Sequence, residues 1–138
     1  MKNWKLSDLS KKMKNLDICM LSTHASRESL NARPMSNNGD VEYDGNSYFF
    51  TSEDSSLVKE IGHNAQVSLS FSGPKHLYIT VIGKAKLVKS KEIMKEHWLD
   101  ELKRWFDKGL DTPGIVMLHV EASRVRYWEG EEQGEIAV

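Results

Sequence analysis

An arginine and a proline stand side by side at Arg33 and Pro34, inside the stretch NARPMSN, which otherwise reads as a β-strand. Proline cannot donate to a sheet ladder and is confined to edges, strand starts and bulges, while an arginine beside it needs water or an anion. The pair marks a place where backbone and guanidinium face a ligand instead of a neighbouring strand. A second concentration is YFFTSEDSS, where Thr51, Ser52, Ser55 and Ser56 gather hydroxyls at the positive end of a short helix, a favourable place for a phosphate. Glu53 and Asp54 lie in the same stretch, and ordinary helix capping also accounts for these residue types. The third is aromatic: Trp98, Trp105, Phe106, Tyr127 and Trp128 fall late in the chain. Core packing explains such a cluster, yet Trp105 stands in a loop-like stretch and Trp128 near a strand end, where flat ligands stack.

Other chemistries lack their residues. There is no GxGxxG, P-loop, HExxH or GxSxG, and no cysteine pair for zinc. The histidines His24, His63, His76, His97 and His119 are dispersed; only His97 and Glu101 share a predicted helical face, the ordinary spacing of a surface contact, so no metal site is expected. Asp100 with Glu101, and the tail EGEEQGE, pair carboxylates, but nothing apolar surrounds the tail to raise a pKa for acid-base work.

The elements that must position these residues follow from periodicity. Leu6, Leu9, Met13 and Leu16 form one apolar stripe on an N-terminal helix with lysines outward. ICMLST, SLNARPMS and SYFFTS then read as strands, with NNGD and DGN as turns. Leu57, Val58 and Ile61 give a short helix ending near Gly62. QVSLSFS and HLYITVIGKAKLV form a hairpin broken at Gly73-Pro74, and Gly83 allows a bend or bulge. Ser90 caps a helix running through Ile93, Met94, Trp98, Leu102 and as far as Trp105; IVMLHVEA and RVRYWEG are two more strands before an acidic tail. Six or seven strands in meander order with three helices argue for a closed or nearly closed antiparallel barrel over a parallel βαβ sheet.

Composition narrows the setting. A chain of 138 residues is expected to make a single domain with one hydrophobic core. Its 19 basic and 20 acidic side chains leave a net charge of −1, which provides no field for steering toward nucleic acid or anionic lipid. The lone Cys19 sits in an apolar run and reads as a small buried hydrophobe. The N-terminus has no continuous apolar segment of signal-peptide type and no run is long enough to span a bilayer, so a cytoplasmic protein without a membrane partner is expected.

Taken in order, ARPM, FFTSEDSS, NAQVSLSF, WFDKGLDTP and VRYW resemble the flavin-binding split-barrel family related to pyridoxamine 5′-phosphate oxidase, specifically its general stress protein branch, from about Leu9 to Glu129. The resemblance implies a mainly β (α+β) fold, a six-stranded antiparallel split β-barrel with flanking helices over residues 1–138. It implies FMN at a homodimer interface. Arg33 would pair with the phosphate, the backbone of Pro34, Met35 and Ser36 would line the isoalloxazine edge, Phe50 and Thr51 would continue that wall, and Ser55 and Ser56 would lie at the phosphate. Trp128 falls where the oxidases place a tryptophan against the partner's flavin, and Trp105 belongs to a WF motif of the stress-protein branch.

Two departures stand out. Relatives carry a basic pair where this chain has Ser56 and Leu57, and each charge-assisted bond so lost is worth about 1.5–3 kcal/mol. Lys59, one turn after Ser55, is the available substitute. After Trp128 the oxidases continue with basic residues that hold a substrate phosphate, whereas this chain reads EGEEQGEIAV, which repels phosphorylated pyridoxine. The implied function is an FMN-dependent oxidoreductase acting on a small molecule, with a nicotinamide as electron donor, the hydride chemistry belonging to the flavin, and no catalytic side chain assigned. A non-catalytic flavin-binding module, or a protein holding FAD, a deazaflavin or haem, are the alternatives.

Overall fold

The computed structural model describes residues 3–37 and 42–138. Seven strands and three α-helices follow one another as α1 (Leu6–Met13), β1 (Ile18–His24), β2 (Leu30–Ser36), β3 (Asn46–Ser52), α2 (Ser56–His63), β4 (Gln66–Gly73), β5 (Leu77–Val88), α3 (Lys91–His97), β6 (Ile115–Glu129) and β7 (Glu132–Ala137); two 3-10 turns, Asp100–Arg104 and Gly109–Asp111, link α3 to β6. The strands make one antiparallel sheet in the order β2-β1-β4-β5-β6-β3, with β7 paired to β6. Among the described residues β2 and β3 each have a single strand neighbour, so the sheet is open along a seam between them. This is the split antiparallel barrel that the sequence resemblance implies, with seven strands in place of six.

Alternation builds the barrel interior. Cys19 and Leu21 of β1, Val67, Leu69 and Phe71 of β4, and Ile79 and Val81 of β5 point inward and meet Leu9 and Met13 of α1 and Leu57 and Ile61 of α2. Burial pushes the Cys19 thiol up to about 12, so it packs as a hydrophobe. The expected single core is joined by a second: Phe50, Met94, Leu102, Ile115 and Met117 cluster with Trp98, Leu99 and Phe106. Because β6 is covered by the barrel interior on one side and by the α3 lobe on the other, Ile115, Val116, Met117 and Leu118 are all buried, which is why that run is continuously apolar instead of alternating.

Several sequence expectations change. α3 stops at His97, where Trp98 takes an extended conformation (ψ 138°), so Leu102 and Trp105 lie beyond it on a 3-10 turn, and His97 and Glu101 share no helical face. The segments IVMLHVEA and RVRYWEG are one strand of 15 residues. Its register shifts opposite Gly83, where a Cβ would run into the Glu121 carbonyl oxygen, so glycine lets the two long strands bulge without breaking. The tail after Glu129 turns at Gly130 (φ 60°) and returns as β7, its Ile136 buried in the barrel core, so only part of it is solvated charge. Leu16 lies past the end of α1 but still packs on the core, and α2 runs one residue beyond Gly62. The DGN turn forms before β3, with Gly45 at φ 100°, whereas most of NNGD lies outside the described residues. Among the described residues no helix is long and apolar enough to cross a membrane.

Candidate functional site

Every neighbouring pair in the sheet is antiparallel, so the two strands flanking the seam also run in opposite directions. The start of β2 lies against the second half of α2, where Asn31 meets Glu60, while its end shares a cavity with the start of β3. Chemically, the two ends of the seam differ.

At the first end β2 is an edge strand, where Pro34, opposite Met20, is tolerated. Arg33 does not project freely into solvent. Its Nη1 donates to Thr23 Oγ1 (2.8 Å) and to the Leu21 carbonyl (3.4 Å), and its Nη2 to Glu60 Oε1 (3.2 Å). Glu60, only 9% exposed, also accepts from the Thr23 hydroxyl (2.7 Å) and from Asn31 Nδ2 (3.1 Å to each oxygen). The Thr23 hydroxyl above all, helped by Asn31 and Arg33, holds the Glu60 carboxyl below the usual carboxylate range against the opposing effect of burial. Neither Glu60 nor Thr23 nor Asn31 was singled out in the sequence, yet a signal existed. Glu60 falls on the inward stripe of α2 with Leu57 and Ile61, and a carboxylate on an apolar stripe requires a partner.

At the start of α2, Ser55 caps the helix by accepting from the Val58 amide (3.3 Å), and the Thr51 hydroxyl donates to Ser55 Oγ (3.4 Å). Capping is thus a role Ser55 fills. Ser56 and Lys59 are exposed on the first turns of α2. Leu57 is buried in the barrel core, so a lysine there would have to carry its charge out of the packed interior.

At the other end lies a cavity of about 280 Å³. Ser36 comes from β2, Tyr48 and Phe50 from β3, and His97, Trp98 and Leu99 from the α3 lobe. Among the described residues its charged lining is Glu42, Asp44 and Glu96, with no lysine or arginine, so this end suits an uncharged or cationic planar group and repels phosphate. Phe50 meets Trp98 edge-on at 5.1 Å, and Tyr48 is stacked between His97 (3.5 Å) and His119 (4.7 Å). His119 Nε2 lies 2.7 Å from Asn46 Oδ1, and burial keeps its pKa below the ordinary histidine value. Among the described residues, no three His, Cys, Asp or Glu side chains gather as metal ligands.

Thr51 meets Ser55 at the start of α2, Arg33 meets Glu60 on the second half of that helix, Ser36 and Phe50 line the cavity, and Met35 packs on the barrel core. Trp105 and Trp128 are not part of it. Trp105 is 60% exposed, and Trp128 sits on β6, four strands from β2 along the sheet, opposite Tyr78 and under the Arg126 guanidinium (5.1 Å).

A family model described as pyridoxamine 5′-phosphate oxidase like matches residues 5–138. General stress protein 26 of Bacillus subtilis (strain 168) is 32% identical over 95 residues, covering 66% of this chain and 67% of that protein. A solved structure of a protein related to general stress protein 26, from Clostridium acetobutylicum, is similar with a TM-score of 0.79 at 17% identity, covering 96% of this chain and 92% of that one. The general stress FMN/FAD binding protein from the phytopathogen Xanthomonas citri is similar with a TM-score of 0.77 at 22% identity, covering 96% and 94%.

Proposed function

The chain belongs to the pyridoxamine 5′-phosphate oxidase-like family, and from that premise we propose that it is an FMN-binding flavoprotein of the general stress protein type, an oxidoreductase acting on a small molecule with a nicotinamide as electron donor. The observation that carries this reading is the division of the seam. Thr51 and Ser55 at the start of α2 and Arg33 against Glu60 further along it supply two hydroxyls, a helix start and a guanidinium along one helix, a donor set that suits a phosphate. The aromatic, acidic cavity at the other end fits a planar uncharged group. FAD is the related ligand, since the Xanthomonas citri neighbour is named as binding FMN or FAD.

When bound, the flavin supplies the hydride chemistry. This chain's residues bind and orient: Arg33 and Ser55 hold the phosphate end, Pro34, Met35 and Ser36 present β2 backbone along the ring edge, and Phe50 and Thr51 continue the wall, with Ser56 and Lys59 beside the phosphate. We place the site at the interface of a homodimer. Ile18, Met20 and Tyr78 leave large apolar surface exposed on one face of the sheet, and Trp128, on the half of β6 that pairs with β7 and past the residues that pair with β3, would reach the seam of a second copy. Trp105 would serve the same interface.

Purified without added flavin, the protein should be yellow, and NADH or NADPH should bleach the band near 450 nm, roughly where oxidised flavins absorb. A colourless protein that takes up no flavin would overturn the reading; a yellow protein that no nicotinamide bleaches would leave a non-catalytic flavin-binding module. A sedimentation measurement giving a monomer would remove the dimer.

A further inference from the structure

We infer that Glu60 sets how strongly this site holds a phosphate: by occupying Arg33 before any ligand arrives, it leaves a flavin site that barely distinguishes phosphorylated from unphosphorylated flavin. The inference rests on the flavin reading above and specifies which flavin the site accepts.

Arg33 is the cation that β2 brings to the phosphate end, and Glu60 Oε1 already lies 3.2 Å from its Nη2. Both side chains are largely covered, at 21% and 11% exposure, so water does not screen the pair as it would at the surface. The carboxylate is also anchored by Thr23, which itself accepts from Arg33, and by Asn31, and these bonds hold it in place when a phosphate approaches. A ligand phosphate must share Arg33 with a fixed anion or displace it, and at close range two anions on one guanidinium repel. The remaining cation on α2, Lys59, is exposed, and exposed ion pairs contribute little. Ser55 still offers a hydroxyl, but it is engaged as a helix cap.

Removing only the charge of Glu60 tests the inference. Glu60→Gln keeps a side-chain oxygen to accept from Thr23 and a near-identical shape, while Arg33 retains its bonds to Thr23 and the Leu21 carbonyl. Dissociation constants for FMN and riboflavin, read by quenching of flavin fluorescence, should lie within about tenfold of each other for the wild-type chain, the small difference expected when one exposed charge pair separates two ligands. A wild-type preference for FMN above that would overturn the inference without any variant. In Glu60→Gln, with folding checked by thermal unfolding, FMN should bind at least about tenfold tighter and riboflavin should be unchanged, the gain of one charge-assisted hydrogen bond. A smaller gain, no gain, or a loss showing that Glu60 holds Arg33 ready for the phosphate would overturn it. If neither flavin binds the wild-type chain, the flavin reading fails and this inference falls with it; if both bind and the ratio ignores position 60, the inference alone fails.

Discussion

The two ends of the seam are held by different physics. Around Arg33 the structure is a set of directional bonds among a strand edge, the adjacent strand and α2: four polar side chains satisfy one another at 2.7–3.2 Å, and each has a specific partner to lose. Around the cavity it is shape: Phe50, Trp98 and Phe106 lean edge-on across a segment with little regular structure, and no hydrogen bond fixes Trp98 to Phe50. Change at the first end should be all-or-none per donor and strongly dependent on charge. Change at the second should be graded with volume and indifferent to charge.

The largest effect expected from that contrast is Phe50→Ala. Phe50 is 8% exposed and joins β3 to the α3 lobe, and truncating a buried phenylalanine costs about 3 kcal/mol or more. Urea denaturation should show it, and Phe50→Leu should recover much of the loss; equal damage from both would mean that the aromatic end depends on specific ring contacts after all. Arg33→Ala comes next. It strands Glu60 with a buried charge and should cost about 2 kcal/mol in the same assay, while flavin affinity, to which an arginine already paired with Glu60 adds little, should fall by no more than about tenfold. Adding Glu60→Gln to it should restore part of the stability, and strictly additive losses would contradict the coupling described above.

Acid should weaken the Arg33 end through Glu60. The Glu60 carboxyl is held below its ordinary range in the folded chain, so its folded state favours the charged form more than the unfolded state does. That contribution is complete above the ordinary carboxylate range and disappears as pH falls through the lowered value. The stability gap between wild type and Glu60→Gln at pH 7 should therefore shrink on acidification below about pH 4, whereas the gap for Phe50→Ala should stay constant. The smallest effect is Trp105→Ala: with most of its surface in solvent, stability should move by no more than about 0.5 kcal/mol. A large loss in a dimer-stabilised protein, scaling with concentration, would instead place Trp105 in the subunit interface.

Most of the barrel was legible because its strands alternate. The periods of β1, β4 and β5, the Gly83 bulge, the Ser90 cap and the edge position of Pro34 are local consequences of residue type, and they appear where the sequence puts them. The α3 lobe was less legible. Met94, Trp98 and Leu102 repeat at four-residue spacing, yet the helix ends at His97, since wrapping the outer face of β6 requires the chain to turn and tertiary packing outweighs the periodic preference. The acidic tail misled for a related reason: exposed Gln133, Glu135 and Ala137 alternate with Gly134 and a buried Ile136, too short a pattern to outweigh the charge run around it.

At the candidate site, the sequence by itself determined which donors exist and which are missing, since Arg33, Thr51 and Ser55 are present and no basic pair stands at positions 56 and 57. Only the tertiary structure decided that Arg33 is already claimed. Glu60 is 27 residues away along the chain, and nothing in the local pattern of either segment states that α2 will lay its inward carboxylate against β2. A charge's value depends on the charges and solvent around it, and those are fixed by folding rather than by spacing.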